Sequence, residues 1–255
     1  MASTAISTAV RCYERKNLSY MKLPAIHGII DRRILINFTA DPKDVEKILS
    51  APFRPRTYHG KALVGICLIR LKNIKPKGLP DFMGISSENG AHRIAVEWEE
   101  DGEVKEGVFI PRRDTSLWLN TIVGGRLFPG KHHLAKFNII ETKETYHIDF
   151  TSSDNTKLSL DAREAQTIEK NSVFGTLNNA SDFFKKGDVG YSPNGRKFDG
   201  LKLDIYDWQV RPLEVINVRS TFFENDTLFP KGTVKFDNAL LMTKVEHEWN
   251  SLPEK

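Results

Sequence analysis

RIAVEWEEDGEVKEGVFI, residues 93–110, is the stretch on which the fold turns. Ile94, Val96 and Trp98 share one face of an extended chain, with Glu97 and Glu99 on the other. Asp101-Gly102 between the two halves is a tight-turn dipeptide, because glycine accepts a positive φ without a steric penalty. The pattern predicts a β-hairpin and therefore an antiparallel sheet.

The flanks extend that reading. KALVGICLIRLKNI (61–74) is apolar on both faces through its middle, which predicts a strand covered on both sides. LPAIHGIIDRRILINF (23–38) opens a strand-rich region, and KNIKPK (72–77) reads as a solvated loop. DPKDVEKILS (41–50) predicts a helix, capped by Asp41, with Pro42 at its first position and Val45, Ile48 and Leu49 as its apolar stripe. Downstream, HLAKFNIIET (133–142) and TYHIDFTS (145–152) predict a second hairpin turning near Lys143-Glu144, and TKLSLDARE (156–164) adds to the same sheet. NNASDFFKKGD (178–188) predicts a second helix stopped by Gly187. The run 197–223 is rich in β-branched and aromatic residues. No repeat or low-complexity linker divides the chain, so residues 21–250 read as one domain after an N-terminal extension over residues 1–20.

Composition excludes several classes. With 37 basic against 33 acidic residues and a net charge of +4, the chain lacks the clustered cations that displace phosphate counterions, so no nucleic-acid partner is expected. Two cysteines, Cys12 and Cys67, are too few for a disulfide framework and fit a reducing, cytoplasmic setting. No apolar run reaches the length of a membrane span, so no membrane partner is expected. The seven histidines show no compact ligand spacing, so no metal is expected. The P-loop and nucleophile-elbow motifs are missing, and no cofactor is expected.

Three stretches carry a family resemblance: DRRILINFTADPKDVEKIL (31–49), EGVFIPRRDTSLWLNTIVGGRLFPGKHHLAKF (106–137), and the run from Ala180 to Trp249. In order and content they resemble the acetoacetate decarboxylase-like superfamily, and most closely its uncharacterised bacterial branch. The resemblance covers most of residues 22–250. It implies a mostly β (α+β) fold: an antiparallel sheet around a cone-shaped β-barrel with a few short helices and a pocket inside the barrel.

The resemblance also implies candidate residues. The decarboxylases form a Schiff base through a lysine amine, whose pKa must fall far below about 10.4. Desolvation and a neighbouring cation do this in acetoacetate decarboxylase itself. The family's lysine pair is replaced here by GGRLFPGKHHLA (124–135). Depending on register, the pair falls on His132 and His133 or on Gly130 and Lys131. Lys131 and His132 are thus the catalytic candidates, each also readable as an ordinary turn lysine or core histidine. Adjacent His132 and His133 point to opposite faces of a strand. The family's carboxylate-binding arginine falls on Arg32 or Arg33, and guanidinium suits a bidentate carboxylate contact. Arg126 lies in the same GGR segment. Of two family glutamates, one falls on Cys67, read as a thiol that does not ionise usefully in an apolar strand. The other falls near Glu88, read as a loop residue. Arg112, Arg113 and Asp114 form either an anion-binding rim or a salt-bridged turn, and Ser116 caps a helix begun by LWLNTIVGG.

Two functions remain open. One is a lyase-type enzyme acting on a small keto acid or related carboxylate, with Lys131 or His132 doing the chemistry. The other is a non-catalytic protein that has lost the lysine pair and holds a small carboxylate or apolar ligand. Further copies of the chain, as a homo-oligomer, are the remaining partner considered.

Overall fold

In the computed structural model, which describes residues 25–118 and 130–255, the predicted hairpin forms part of one wall. Strand β5 (Ile85–Glu100) turns at Asp101-Gly102, both with positive φ, into β6 (Glu103–Thr115). The wall continues outward through β4 (Lys61–Pro76), β1 (Ile26–Ala40) and β13 (Lys235–Leu252), each antiparallel to the next. Short β2 (Arg54–Pro55) and β3 (Thr57–Tyr58) pair with β5 and β4.

Two routes close this five-stranded wall on itself. One runs through β7 (His132–Glu141), β8 (Thr145–Ser152), β9 (Lys157–Glu164) and β12 (Arg211–Ser220) back to β13. The other runs through the hairpin of β10 (Val189–Asn194) and β11 (Lys197–Ile205). Both routes use one edge of β6: Val108 and Phe109 pair with β10, and Arg113, Asp114 and Thr115 pair with β7. Closure satisfies the backbone donors and acceptors that an open sheet edge would leave exposed. The fold is mostly β with few helices, as the sequence predicts. Among the described residues, no helix is long and apolar enough to cross a membrane.

Because both faces of the wall are covered, its strands alternate between two interiors. Ile34, Ile36, Val64, Ile66, Ile94 and Val96 enter the larger core, with Ile148, Phe150, Leu158 and Leu160 from the long route. The intervening Leu35, Leu63, Cys67, Ala91 and Ala95 belong to a second cluster. That cluster is covered by helix α2 (Leu177–Lys185), which buries Ala180, Phe183 and Phe184. Burying a phenylalanine side chain contributes about 1.5–3 kcal/mol, so two of them hold a nine-residue helix that would be marginal alone. Thr176 caps it, accepting from Asn179 N at 3.2 Å.

Some expectations need correction. The first helix, α1 (Pro42–Glu46), has the predicted Asp41 cap but stops four residues before Ser50. Pro52 disfavours a helical Ala51, and the segment tightens through Ile48 N→Val45 O and Leu49 N→Glu46 O bonds. KNIKPK is no loop as far as Pro76: it is the end of β4, paired with the start of β1, with Lys72 on Asp31 and Lys75 on Asp81. IPRRDTS is no turn, since β6 runs through it to Thr115. The extension over residues 1–20, Arg126 and nearly all of the LWLNTIVGG helix lie outside the described residues.

Gly65 marks a close backbone approach between β4 and β1. It faces Asn37 on β1, and a Cβ there would stand 2.3 Å from the Ile36 carbonyl oxygen. Gly65→Ala is expected to cost about 1–3 kcal/mol by forcing the strands apart, read as a lowered midpoint in thermal unfolding. An unchanged midpoint would show that the β1–β4 register differs from the one described.

Candidate functional site

The interior beneath α2 holds a cavity of about 110 Å³. Since roughly 10–15 Å³ by this measure admits one water, it has room for a ligand of several heavy atoms. Its walls are apolar, built from Ile69, Leu71, Ile110, Phe183, Phe184 and Leu201. Into it project side chains of four wall strands: Arg33 of β1, Cys67 of β4, Arg93 of β5 and Arg113 of β6. His132 at the start of β7 stands opposite Arg113, its partner in register, and Arg56, Asn89, Asp114 and Asp188 also line the cavity.

The guanidinium groups here are incompletely neutralised. Arg33 is 8% exposed and Arg93 5%. Arg33 Nη2 donates to Cys67 Sγ at 3.9 Å, while its Nε and Nη1 meet no acceptor among the described residues. Arg93 donates through Nη2 to Asn37 Oδ1 and lies 4.8 Å over the Phe184 ring, leaving Nε unmatched. Arg113 Nε donates to Ser192 Oγ at 3.3 Å, and Nη2 is unmatched. A buried charged donor left unsatisfied is costly. Burial pulls the Arg113 pKa down to about 10 and lowers that of Arg93 as well. At about 10, Arg113 stays protonated at neutral pH and brings a positive charge to the cavity.

Cys67 sits between charges that its own strand does not show. It is 3% exposed, as an apolar strand implies. Burial alone would push its thiol up, but the charges of Arg93 and Arg33 overcome that and bring it below its ordinary value. Reading β4 by itself misses arginines contributed by β5 and β1.

The other sequence candidates are sorted by the two-residue period of a strand. Arg32 points away from the cavity, to Glu88 at 2.7 Å and to Glu141. Arg70 bridges the same two carboxylates, tying β1, β4, β5 and β7 together. Glu88 is therefore a strand residue in an ion cluster, not a loop glutamate, because it sits in register opposite Arg70. Arg112 is spent on Asp114 and Asp154, through contacts of 2.7–3.0 Å. His133 lies beside Asp154, and Ser116 accepts from Glu88 N. Lys131 follows Gly130, whose φ is +81°, and is exposed. Among the described residues, no lysine lines the cavity. The structure thus brings together Arg33 and His132. It places Arg32, Glu88 and Lys131 elsewhere, and Arg126 lies outside the described residues.

Residues 30–243 match the model of DUF2071, described as an uncharacterized conserved protein. The chain belongs to this family. No curated protein matches the sequence. Solved structures share the fold. An acetoacetate decarboxylase from Legionella pneumophila matches with a TM-score of 0.57 at 13% identity, over 90% of this chain and 87% of that one. An acetoacetate decarboxylase-like enzyme from Sphingomonas wittichii RW1 gives 0.56 at 8% identity, over 91% and 93%. The enduracididine biosynthesis enzyme MppR, complexed with pyruvate, gives 0.53 at 7% identity, over 94% and 92%. The DUF2071 chain therefore has the acetoacetate decarboxylase-like fold that its sequence resembles.

A second polar group lies in the larger interior. His92 Nε2 is 3.1 Å from Ser220 Oγ, and its Nδ1 is 3.7 Å from Asp114. The order serine, histidine, aspartate is that of many hydrolases. Here His92 is fully buried and packed on Phe222 at 4.4 Å, while Asp114 is held by Arg112 and Ser152. The group is a core network, scattered too widely in sequence to be read from it.

Burial depresses His92 and His132 to about 3 and His247 to about 4. In each case the unfolded chain takes up a proton that the folded one refuses, so stability is lost as pH falls below the unfolded value of about 6.5. The steepest loss is about 1.4 kcal/mol per pH unit for each histidine. Imidazole NMR is expected to show His92, His132 and His247 neutral from pH 8 to 5. His147, raised by its hydrogen bond to Asp161, is expected to protonate above the ordinary histidine value. Titration of the three buried rings near neutral pH would contradict the burial described.

Proposed function

We propose that the cavity binds a small organic carboxylate, of the keto-acid class or a close relative, on Arg33, Arg93 and Arg113. The observation that carries this reading is the set of buried guanidinium N–H donors with no acceptor among the described residues, around one apolar-walled cavity. A carboxylate supplies the missing charge and acceptors, often as a paired, two-pronged contact. The apolar walls accept a short carbon chain or methyl group. The MppR complex with pyruvate fits a ligand of this size in a related fold.

The Schiff-base reading has less support, because the exposed Lys131 stands outside the cavity lining. Arginine cannot replace the amine: it does not deprotonate at working pH and forms no imine. His132, held neutral to about pH 3, is too weak a base to take a proton from a carbon acid at neutral pH. The site therefore reads as one that recognises the acid end of its ligand without lysine chemistry.

Titration calorimetry with pyruvate and acetoacetate tests this. Arg33→Gln and Arg113→Gln are each expected to weaken binding by about 10–100-fold, the loss of a charge-assisted hydrogen bond worth about 1.5–3 kcal/mol. Lys131→Ala is expected to bind as the parent does. Borohydride added in the presence of either acid should leave the protein mass unchanged. A stoichiometric adduct that disappears in Lys131→Ala would restore the amine reading and end this one.

A further inference from the structure

We infer that Cys67 is the nucleophile of this cavity, adding through sulfur to the carbonyl carbon of a keto acid whose carboxylate rests on the guanidinium groups. This rests on the carboxylate reading above and deepens it. Three observations converge. The Cys67 side chain lines the cavity itself, on the face of β4 opposite the large core. Its sulfur lies 3.9 Å from Arg33 Nη2, with Arg93 also acting on it. Independently, the donors of Arg33 and Arg93 that meet no acceptor among the described residues belong to side chains more than nine-tenths buried in the same lining, and they call for an anion there.

The chemistry follows from this placement. A thiolate is the reactive form of cysteine, and cationic neighbours favour it. The two guanidiniums therefore act twice, once on the sulfur and once on the substrate acid. In the addition an S–C bond forms and the C=O π bond breaks. Its electron pair moves to oxygen, which takes up one proton to replace the one the thiol released. The product is a hemithioketal, and no oxidant or reductant takes part. The developing oxyanion lies among the same N–H donors, where charge stabilisation is strongest in a site with little water. Half-buried lining residues, among them Ile69, Val108, Leu203 and Asp188, give small molecules an approach from the surface.

Alkylation reads this directly, in full-length protein carrying Cys12→Ser so that Cys67 is the sole thiol of the two. Iodoacetate is an anionic probe and iodoacetamide its neutral counterpart. Both form an S–C bond as iodide leaves. An ordinary thiolate prefers the neutral reagent. Cys67 is expected to prefer iodoacetate by about tenfold or more, equivalent to about 1.4 kcal/mol of attraction. Pyruvate should slow the iodoacetate reaction, and Arg33→Gln should move the preference toward iodoacetamide. Cys67→Ser should take up no label from either reagent. A preference for iodoacetamide with Arg33 intact, equal rates, or a Cys67 inert to both reagents overturns the inference. If pyruvate binding persists in any of those cases, the carboxylate site stands and only the nucleophile falls. If pyruvate binding is absent as well, both fall.

Discussion

An arginine on a sheet covered on both faces has no water to turn to, so it must find negative charge within the protein or in a ligand. The wall formed by β13, β1, β4, β5 and β6 carries six arginines that show both outcomes. Arg32, Arg70 and Arg112 meet carboxylates within hydrogen-bonding distance, and their clusters bind strand to strand. Arg33, Arg93 and Arg113 face the other interior, where their hydrogen bonds go to a thiol, an amide oxygen and a hydroxyl, and the Trp208 and Phe184 rings lie beside Arg33 and Arg93. An uncompensated buried charge costs several kcal/mol. A fold stabilised by burying this wall does not keep such a charge through packing alone, which is why the second interior reads as a site and the first as a core.

The same alternation explains what the sequence could and could not reveal. Hairpins at 93–110 and 133–152 announce themselves through period-two patterning and turn dipeptides, which are local signals. Three adjacent pairs, Arg32-Arg33, Arg112-Arg113 and His132-His133, each place one member in the cavity and the other outside it. A sequence shows that the members of each pair must part. It does not show which goes where, because a register shifted by one residue exchanges the faces of a whole strand. Which face becomes the cavity is decided by the β10–β11 hairpin and α2, elements at least sixty residues away from each of these arginines.

Cys67 is the clearest case of information absent from a single strand. Its neighbours in the chain are apolar, and on β4 alone it reads as a small hydrophobe. In the sheet, Leu35 and Ala91 are its register partners, and Arg33 and Arg93 lie two residues along on each side. Residues i and j±2 on one face of adjacent strands come within reach of long side chains. Two arginines thus converge on one sulfur from opposite sides, which no spacing along one segment encodes.

Preorganisation separates this arrangement from an accidental cluster of cations. Arg93 is held through Asn37, whose amide donates to Asn238 Oδ1 at 2.8 Å. Asn238 in turn donates to Asp237, which also accepts from Ser172 Oγ at 2.7 Å and Val173 N at 2.8 Å, just before α2. The chain of bonds runs from the cavity, across β1 and β13, to the segment that leads into the covering helix. Arg56 closes the other side, its guanidinium 3.9 Å over the Phe183 ring and donating to the Phe183 carbonyl oxygen at 3.1 Å. The helix that roofs the cavity and the arginines that charge it are therefore fixed by common contacts. A ligand anion entering such a site meets donors already oriented, so little side-chain entropy is lost on binding.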